Sequence, residues 1–147
     1  MNRKKFIKTC GLACLSTSAF GLLLQSCSGS KIIAAQIVGE NIIVPLKDFE
    51  IVKKSEKAYR NYLVIQNEKL KYPIYIFRFS EKEYSALYMQ CTHQGVELTA
   101  YGDKLVCSAH GSEFDNKGNV QNSPASKALR TFPVISENNQ LKISLKS

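Results

Sequence analysis

Two cysteines and the only two histidines of the chain form a pair of short motifs whose residue types can bind a metal. Cys91 is followed by His93 after one intervening residue, and Cys107 is followed by His110 after two. Cysteine supplies a thiolate and neutral histidine an imidazole nitrogen. Two of each can hold a tetrahedral zinc ion or an iron–sulfur cluster with mixed ligands. The motifs therefore predict a metal centre.

The other cysteines of the chain leave one competing role for this pair. Of five cysteines, Cys10, Cys14 and Cys27 lie near the N-terminus. If the protein is exported to an oxidising compartment, the remaining two cysteines, Cys91 and Cys107, could form a disulfide. A disulfide gives no reason for a histidine beside each cysteine, whereas a metal centre does.

The elements that must position these residues are short β-strands. Runs rich in β-branched and aromatic residues alternate with turn signals, and no sustained helical period follows the N-terminal segment. This pattern is typical of a sandwich or barrel. The predicted strands cover residues 32–38, 41–44, 62–65, 74–79, 86–89, 104–107, 131–134 and 141–145.

Gln90 joins the run at 86–89 to Cys91, and Cys107 ends the run at 104–107, so the motifs are predicted to lie on loops at strand ends. The turn signal at 101–103 precedes the strand that leads into Cys107, and a hairpin there brings its loop beside that of Cys91. Gly95 and Gly111 follow the histidines and let the backbone pass close to a cofactor.

The two loops resemble the cluster-binding loops of Rieske [2Fe-2S] proteins. The resemblance rests on residues 91–95 and 107–115 and extends through 118–120, 124–125, 129 and 132–134. It covers the chain from about residue 42 onward and is most specific over 91–134. The resemblance implies an all-β fold, a Rieske-like antiparallel β-sandwich with a small cluster-binding subdomain of two loops.

The resemblance also implies the role of each ligand. Cys91 and Cys107 hold one iron as thiolates, and His93 and His110 hold the other through imidazole nitrogens. Two ferric ions, two sulfides and two thiolates carry no net charge, so an electron enters more easily than into a four-thiolate cluster. Potentials of ~−150 to +300 mV follow, against ~−400 mV for plant-type ferredoxins.

Four positions near the ligands predict how the cluster is tuned. Val96 and Ala109 stand where the quinol-oxidising members carry a bracing disulfide, so that bridge cannot form. Ser112 matches the family serine that donates to a bridging sulfide, and Phe114 replaces a tyrosine that donates to a cysteine sulfur. Losing one hydrogen bond to sulfur lowers the potential, so we expect an intermediate value. Ser123 replaces a glycine in the loop that follows.

The N-terminal segment is predicted to direct export. Basic residues precede an apolar run, and residues 24–27 resemble the lipobox of bacterial lipoproteins, with Cys27 as the lipid-attachment site. The predicted division is a signal peptide at 1–26, a lipidated cysteine and tether at 27–31, and a Rieske domain at 32–147. A secretory signal that happens to contain a cysteine is the alternative.

Charge supports export and argues against nucleic-acid binding. Arg3 and Lys4 resemble a twin-arginine motif with one replacement; a simple positive n-region is the other interpretation. After Cys27, sixteen basic and twelve acidic residues leave a net charge of +4. These residues are interspersed and form no nucleic-acid footprint.

Electron transfer is the predicted function. A Rieske oxygenase also needs a mononuclear iron held by two further histidines and a carboxylate, and the chain has no further histidine. We therefore expect a membrane-anchored single-electron carrier facing the periplasm or cell surface. Its donor and acceptor would be a quinol-linked complex, a cytochrome or an oxidoreductase subunit. The alternatives are a structural Cys₂His₂ zinc module and a surface lipoprotein that acts by adhesion.

Overall fold

The computed structural model describes residues 30–53 and 56–146, almost entirely as short strands. The predicted signal peptide and Cys27 lie outside the described residues. No helix in the described part is long and apolar enough to cross a membrane. The elements are β1 (Ile32–Ala34), β2 (Gln36–Val38), β3 (Asn41–Pro45), a 3-10 helix (Leu46–Phe49), β4 (Glu50–Lys53), β5 (Glu56–Tyr59), β6 (Tyr62–Gln66), β7 (Ile74–Arg78), β8 (Tyr84–Tyr88), β9 (Thr99–Tyr101), β10 (Lys104–Val106), β11 (Glu113–Asp115), β12 (Val120–Asn122), β13 (Val134–Glu137) and β14 (Gln140–Ser144).

Two four-stranded sheets enclose one hydrophobic core, and we call them the base sandwich. Their strand orders are β1-β6-β7-β8 and β13-β14-β3-β2. Along β3 and β14, buried side chains alternate with half-buried ones, because successive residues of a strand point to opposite faces. The fully buried residues of this core include Ile42, Val44, Leu63, Ile65, Ile74, Ile76, Leu141 and Ile143.

Strand β7 contributes to two cores at once. Its first four residues are all buried. Ile74 and Ile76 pack inside the base sandwich. Tyr75 and Phe77, on the opposite face, pack in a second core. A strand that is covered on both faces reads as a continuous apolar run, which explains its sequence.

The second core is closed by a small antiparallel sheet of order β12-β11-β10-β9. Leu105 pairs with Ala100 on one side and Phe114 on the other, so these three residues share the buried face. Gly102, at φ +63°, makes the turn between β9 and β10. The predicted hairpin is therefore confirmed, and so is the antiparallel β fold.

The first predicted strand, residues 32–38, is in fact two strands. β1 pairs in parallel with β6, whereas β2 pairs antiparallel with β3. The chain thus passes from one sheet of the base sandwich to the other at the buried Ala35. A continuous apolar run carries no signal for this change of partner.

Other differences concern short or polar strands. Strands β4, β5, β9, β11 and β12 were not predicted, because three or four residues with several polar side chains show no clear alternation. The run predicted at 131–134 also begins later than expected. Thr131 forms only an isolated bridge with Leu87, and the strand starts at Val134.

Candidate metal centre

The first loop, residues 91–96, follows β8 and is closed by two backbone hydrogen bonds. The N–H of Cys91 donates to the carbonyl of Val96 at 2.8 Å, and the N–H of Gly95 donates to the carbonyl of Cys91 at 2.8 Å. Gly95 adopts φ +72°, a left-handed conformation that favours glycine. The loop therefore folds back tightly around its cysteine.

The second loop, residues 107–112, joins β10 to β11 with the same hydrogen bonds. The N–H of Cys107 donates to the carbonyl of Ser112 at 2.8 Å, and the N–H of Gly111 donates to the carbonyl of Cys107 at 2.9 Å. Gly111 adopts φ +76°. The loops thus share one backbone form, although the histidine is the third residue of the first loop and the fourth of the second.

The two cysteine side chains meet beneath the loops. Cys91 is 2% exposed and Cys107 is 1% exposed, both within the second core. Both are free thiols, so the structure does not form the alternative disulfide. Burial raises the pKa of the Cys107 thiol, but hydrogen bonds from the N–H groups of Ala109 and His110 and from Cys91 outweigh it and lower that pKa. These donors favour a thiolate, the form that binds metal.

The two imidazole rings meet on the outer side of the loops. The ring centroids of His93 and His110 lie 4.9 Å apart with an interplanar angle of 88°. Both histidines are exposed, in contrast to the cysteines. The loops therefore present a buried sulfur pair and an exposed nitrogen pair.

These four side chains suit a two-iron cluster that takes sulfur on one iron and nitrogen on the other. In the described ranges, no three histidine, cysteine or acidic side chains gather closely enough to hold a single metal ion. The ligand types form a thiol pair and an imidazole pair. A mixed cluster needs such a division of ligands between its two irons.

Of the two tuning residues, Ser112 is the last residue of the second loop, and Phe114 lies two positions further on, in β11. Ser112 is fully buried, and its hydroxyl oxygen accepts the N–H of Ala125 at 3.0 Å. Because that oxygen acts as an acceptor, its hydrogen stays available to a further partner. Phe114 is fully buried in the second core and offers no donor.

Side chains from elsewhere in the fold fasten both loops. The hydroxyl of Tyr72 donates to the carbonyl of Gly95 at 2.6 Å. The side-chain amide of Asn122 donates to the carbonyl of Gly111 at 3.0 Å. Each loop glycine is therefore held from outside by a side-chain donor.

A third loop, residues 123–133 between β12 and β13, covers the side of the first. The hydroxyl of Thr92 donates to the carbonyl of Lys127 at 2.6 Å. This loop begins at the cis bond between Ser123 and Pro124. The sequence predicts none of these three contacts, because no motif marks a tyrosine, asparagine or threonine that donates to a distant carbonyl.

The family model of the Rieske [2Fe-2S] domain matches residues 41–133, and the chain belongs to this family. That range includes both loops and the third loop. No curated protein matches the chain.

Solved structures of Rieske proteins are similar to this fold. The cyanobacterial plasma membrane Rieske protein PetC3 from Synechocystis PCC 6803 is 26% identical with a TM-score of 0.50, over 57% of this chain and 86% of that one. A chain from the complex of reduced oxygenase and oxidized ferredoxin in carbazole 1,9a-dioxygenase is 18% identical with a TM-score of 0.52, over 71% and 92%. The quaternary ammonium Rieske monooxygenase CntA is 18% identical with a TM-score of 0.50, over 61% and 29%. The last two show the fold alone.

Family membership identifies the cofactor and the broad function. The cofactor is a Rieske-type [2Fe-2S] cluster, and the protein is a Rieske-type electron carrier. The paired thiols and imidazoles fit this cofactor, so the zinc alternative is not favoured.

Proposed function

We propose that Cys91 and Cys107 bind one iron of the cluster, that His93 and His110 bind the other, and that the protein carries single electrons at a membrane surface. The observation that carries the ligand assignment is the pairing of like side chains on two loops of equal backbone form. The thiols of Cys91 and Cys107 lie together, and so do the imidazoles of His93 and His110.

The surrounding residues bury the cysteine side of the site and leave the histidine side exposed. When bound, the cluster supplies the one-electron redox centre. Leu98 and Leu105 pack with the cysteines in the second core and exclude water from the sulfur side. His93 and His110 are exposed, so a redox partner can approach on the imidazole side. Electrons therefore enter and leave through the histidine face.

Removing single side chains tests the ligand assignment. Wild-type protein should be red-brown, contain iron and acid-labile sulfide, and show a Rieske-type electron paramagnetic resonance (EPR) signal after reduction by dithionite. Cys107→Ser and His110→Ala should lose that signal. Ser108→Ala, an exposed change in the same loop, is the matched control and should keep it. A colourless wild-type protein that contains zinc would contradict the proposal.

An intermediate reduction potential is part of the proposal. Ser112 retains a buried hydroxyl beside the second loop, whereas Phe114 has none. We expect a potential below that of the quinol-oxidising Rieske proteins and above the ~−400 mV of plant-type ferredoxins. Protein-film voltammetry measures it, and a value at either extreme would contradict this tuning.

We further propose that residues 1–26 direct export and that a lipid on Cys27 anchors the Rieske domain of residues 32–147 to a membrane. The lipobox-like residues 24–27 support this, and the similar PetC3 is a plasma membrane Rieske protein. Wild-type protein should incorporate labelled palmitate and sediment with membranes, whereas Cys27→Ala should do neither. Cys14→Ala is the control, because Cys14 lies inside the predicted signal peptide. A soluble, unlabelled wild-type protein would refute the anchor.

The redox partners belong to the same proposal. The carrier would exchange electrons with a quinol-linked complex, a cytochrome or an oxidoreductase subunit. The exposed imidazoles offer the contact surface for any of them.

A further inference from the structure

An open cavity lies beside the first loop, on the side where the third loop covers it. Its volume is about 480 Å³, and His93 forms part of its wall. Gln90 and Gln94 add amide groups to the wall, and Tyr88 adds an aromatic ring. The cavity is therefore polar and adjoins one of the two exposed imidazoles.

Two cations line this cavity and no acidic residue does. Lys127 and Arg130 both contribute to the wall, and both are exposed. Neither takes part in an ion pair within the described residues. The ion pairs there are Lys31 with Asp48, Lys104 with Glu113, Lys142 with Glu137, and Lys146 with Glu40. The cavity thus carries positive charge that no ion pair among the described residues neutralises.

Contacts within the fold position Lys127 through its backbone and Arg130 through its side chain. Thr92, next to His93, donates its hydroxyl to the carbonyl of Lys127. The guanidinium of Arg130 stacks 4.7 Å from the ring centroid of Phe132 and donates to the carbonyl of Leu145 at 3.3 Å. A stacked guanidinium is preorganised to bind carboxylates through its remaining N–H groups.

We infer that this cavity is the docking site of an acidic electron-transfer protein, whose carboxylates contact Lys127 and Arg130 while its redox centre faces His93. The inference rests on the proposed function. Opposite charges at the contact speed association of redox partners. An anionic membrane is the less favoured occupant, because lipid-binding clusters contain about 4–8 basic residues.

Electron transfer to one protein in two charge forms tests the inference. The full-length protein in neutral detergent is reduced and mixed by stopped flow with native cytochrome c, which is basic, or with succinylated cytochrome c, which is acidic. One electron passes to each ferric haem and leaves it ferrous. We expect the succinylated form to react faster, with a rate that falls as salt is added.

Neutralising the two cations should remove this preference. The double variant Lys127→Gln/Arg130→Gln should react with succinylated cytochrome c about tenfold more slowly than wild type, with an unchanged EPR signal. Lys127→Glu alone should slow it similarly, which covers any loss of folding from the Arg130 change. Lys82→Gln/Lys117→Gln is the control, because Lys82 lies before β8 and Lys117 after β11, at the strand ends away from the loops.

Three results would overturn the docking inference. One is that wild type reacts with native cytochrome c as fast as, or faster than, with the succinylated form. Another is that the Lys82→Gln/Lys117→Gln control is slowed as much as the double variant. The third concerns electron transfer to succinylated cytochrome c from protein held in nanodiscs. If phosphatidylglycerol nanodiscs slow this reaction relative to phosphatidylcholine nanodiscs for wild type but not for the double variant, the cavity binds lipid headgroups instead. Wild-type protein without an EPR signal would instead count against the proposed function.

Discussion

The first and second loops have the same backbone but are fastened to different parts of the molecule. Tyr72, which holds the first loop, precedes β7 in the base sandwich, and its ring packs edge-on against Tyr88 of β8 at 5.5 Å. Asn122, which holds the second loop, lies in β12 of the small sheet. The first loop is therefore held by the base sandwich and the second loop by the small sheet.

The two loops also differ in histidine spacing, although the proposed centre takes one imidazole from each. His93 and His110 occupy different positions in their loops, yet their rings meet at 4.9 Å. Because each loop is held separately, each histidine depends on its own fastening contact. Changes in the base sandwich should affect mainly His93, and changes in the small sheet mainly His110.

The largest effect is expected when the first loop is given the histidine spacing of the second. His93→Gln combined with Gln94→His moves the imidazole one residue along, about 3.8 Å in the chain. Metal–ligand distances tolerate errors of only about 0.2 Å. The EPR signal should therefore disappear. Gln94→His alone keeps His93 and should retain the signal; its retention in the double variant would show that the spacing is interchangeable.

The two contacts that hold the loop glycines, those of Tyr72 and Asn122, should differ in strength. Tyr72→Phe leaves the half-buried Gly95 carbonyl without its donor and should lower the free energy of unfolding by about 1–2 kcal/mol. Asn122→Leu should cost less than about 1 kcal/mol, because Asn122 is exposed and water can replace it. Denaturant unfolding measures both changes, and Tyr101→Phe, at an exposed tyrosine, is the control. Equal losses would show that both loops are held alike.

The two loop glycines provide a smaller contrast. Alanine at either position pays about 1 kcal/mol for a left-handed backbone. A Cβ at Gly95 would also lie 3.3 Å from Nε2 of Gln90, whereas a Cβ at Gly111 meets nothing within 4 Å. Gly95→Ala should therefore destabilise the protein more than Gly111→Ala in the same unfolding measurement. The reverse order would mean that the first loop can relax.

The tuning of the cluster should depend on the second loop and on β11, which follows it. Ser112 is the last residue of that loop, and the corresponding residue of the first loop is Val96, which has no hydroxyl. Phe114→Tyr should raise the potential by roughly 40 mV if the new hydroxyl adds about 1 kcal/mol of hydrogen bonding to the reduced state. Ser112→Ala should lower it by a similar amount. Voltammetry measures both, and no shift in either would mean that neither hydroxyl reaches a cluster sulfur.

The smallest effect concerns the turn between β11 and β12. This turn leads into β12, the strand whose Asn122 holds the second loop. Partial burial raises the pKa of Asp115, but hydrogen bonds from Asn119 and from backbone N–H groups of Lys117 and Gly118 outweigh it and lower that pKa. A lowered carboxyl pKa stabilises the fold above the ordinary value of about 3.9, and this stabilisation is lost as the pH falls through the folded pKa.

Comparing Asp115→Asn with wild type checks this. The loss in free energy of unfolding should be below about 1 kcal/mol at neutral pH and should shrink below about pH 4. Glu81→Gln, in the turn before β8, controls for the loss of one negative charge. A loss that is independent of pH would exclude the carboxylate as its source.

Local chemistry made much of the site predictable. Metal binding requires particular residue types at short spacing, so the Cys91 and Cys107 motifs were recognisable. Gly95 and Gly111 were identified beside them as positions where the backbone can pass close to a cofactor, and the structure adds that both are left-handed. The hairpin at Gly102 was also predictable, because turn residues act over only a few positions. The ligand roles themselves stay predictions until the variants are measured.

Long-range contacts made the rest unpredictable. Tyr72 contacts a residue 23 positions away, Thr92 one that is 35 positions away, and neither lies in a recognisable motif. The change of sheet at Ala35 has the same origin, since strand pairing depends on distant partners.

The sequence by itself determined the ligand types, their spacing, the absence of cysteines at Val96 and Ala109, and the absence of a hydroxyl at Phe114, because these are properties of single residues and short segments. Only the tertiary structure decided that the thiols are buried and the imidazoles exposed, because the second core includes both cysteines and leaves both histidines at the surface. It also decided that Lys127 and Arg130 line the same cavity as His93, because that cavity forms where distant parts of the chain meet.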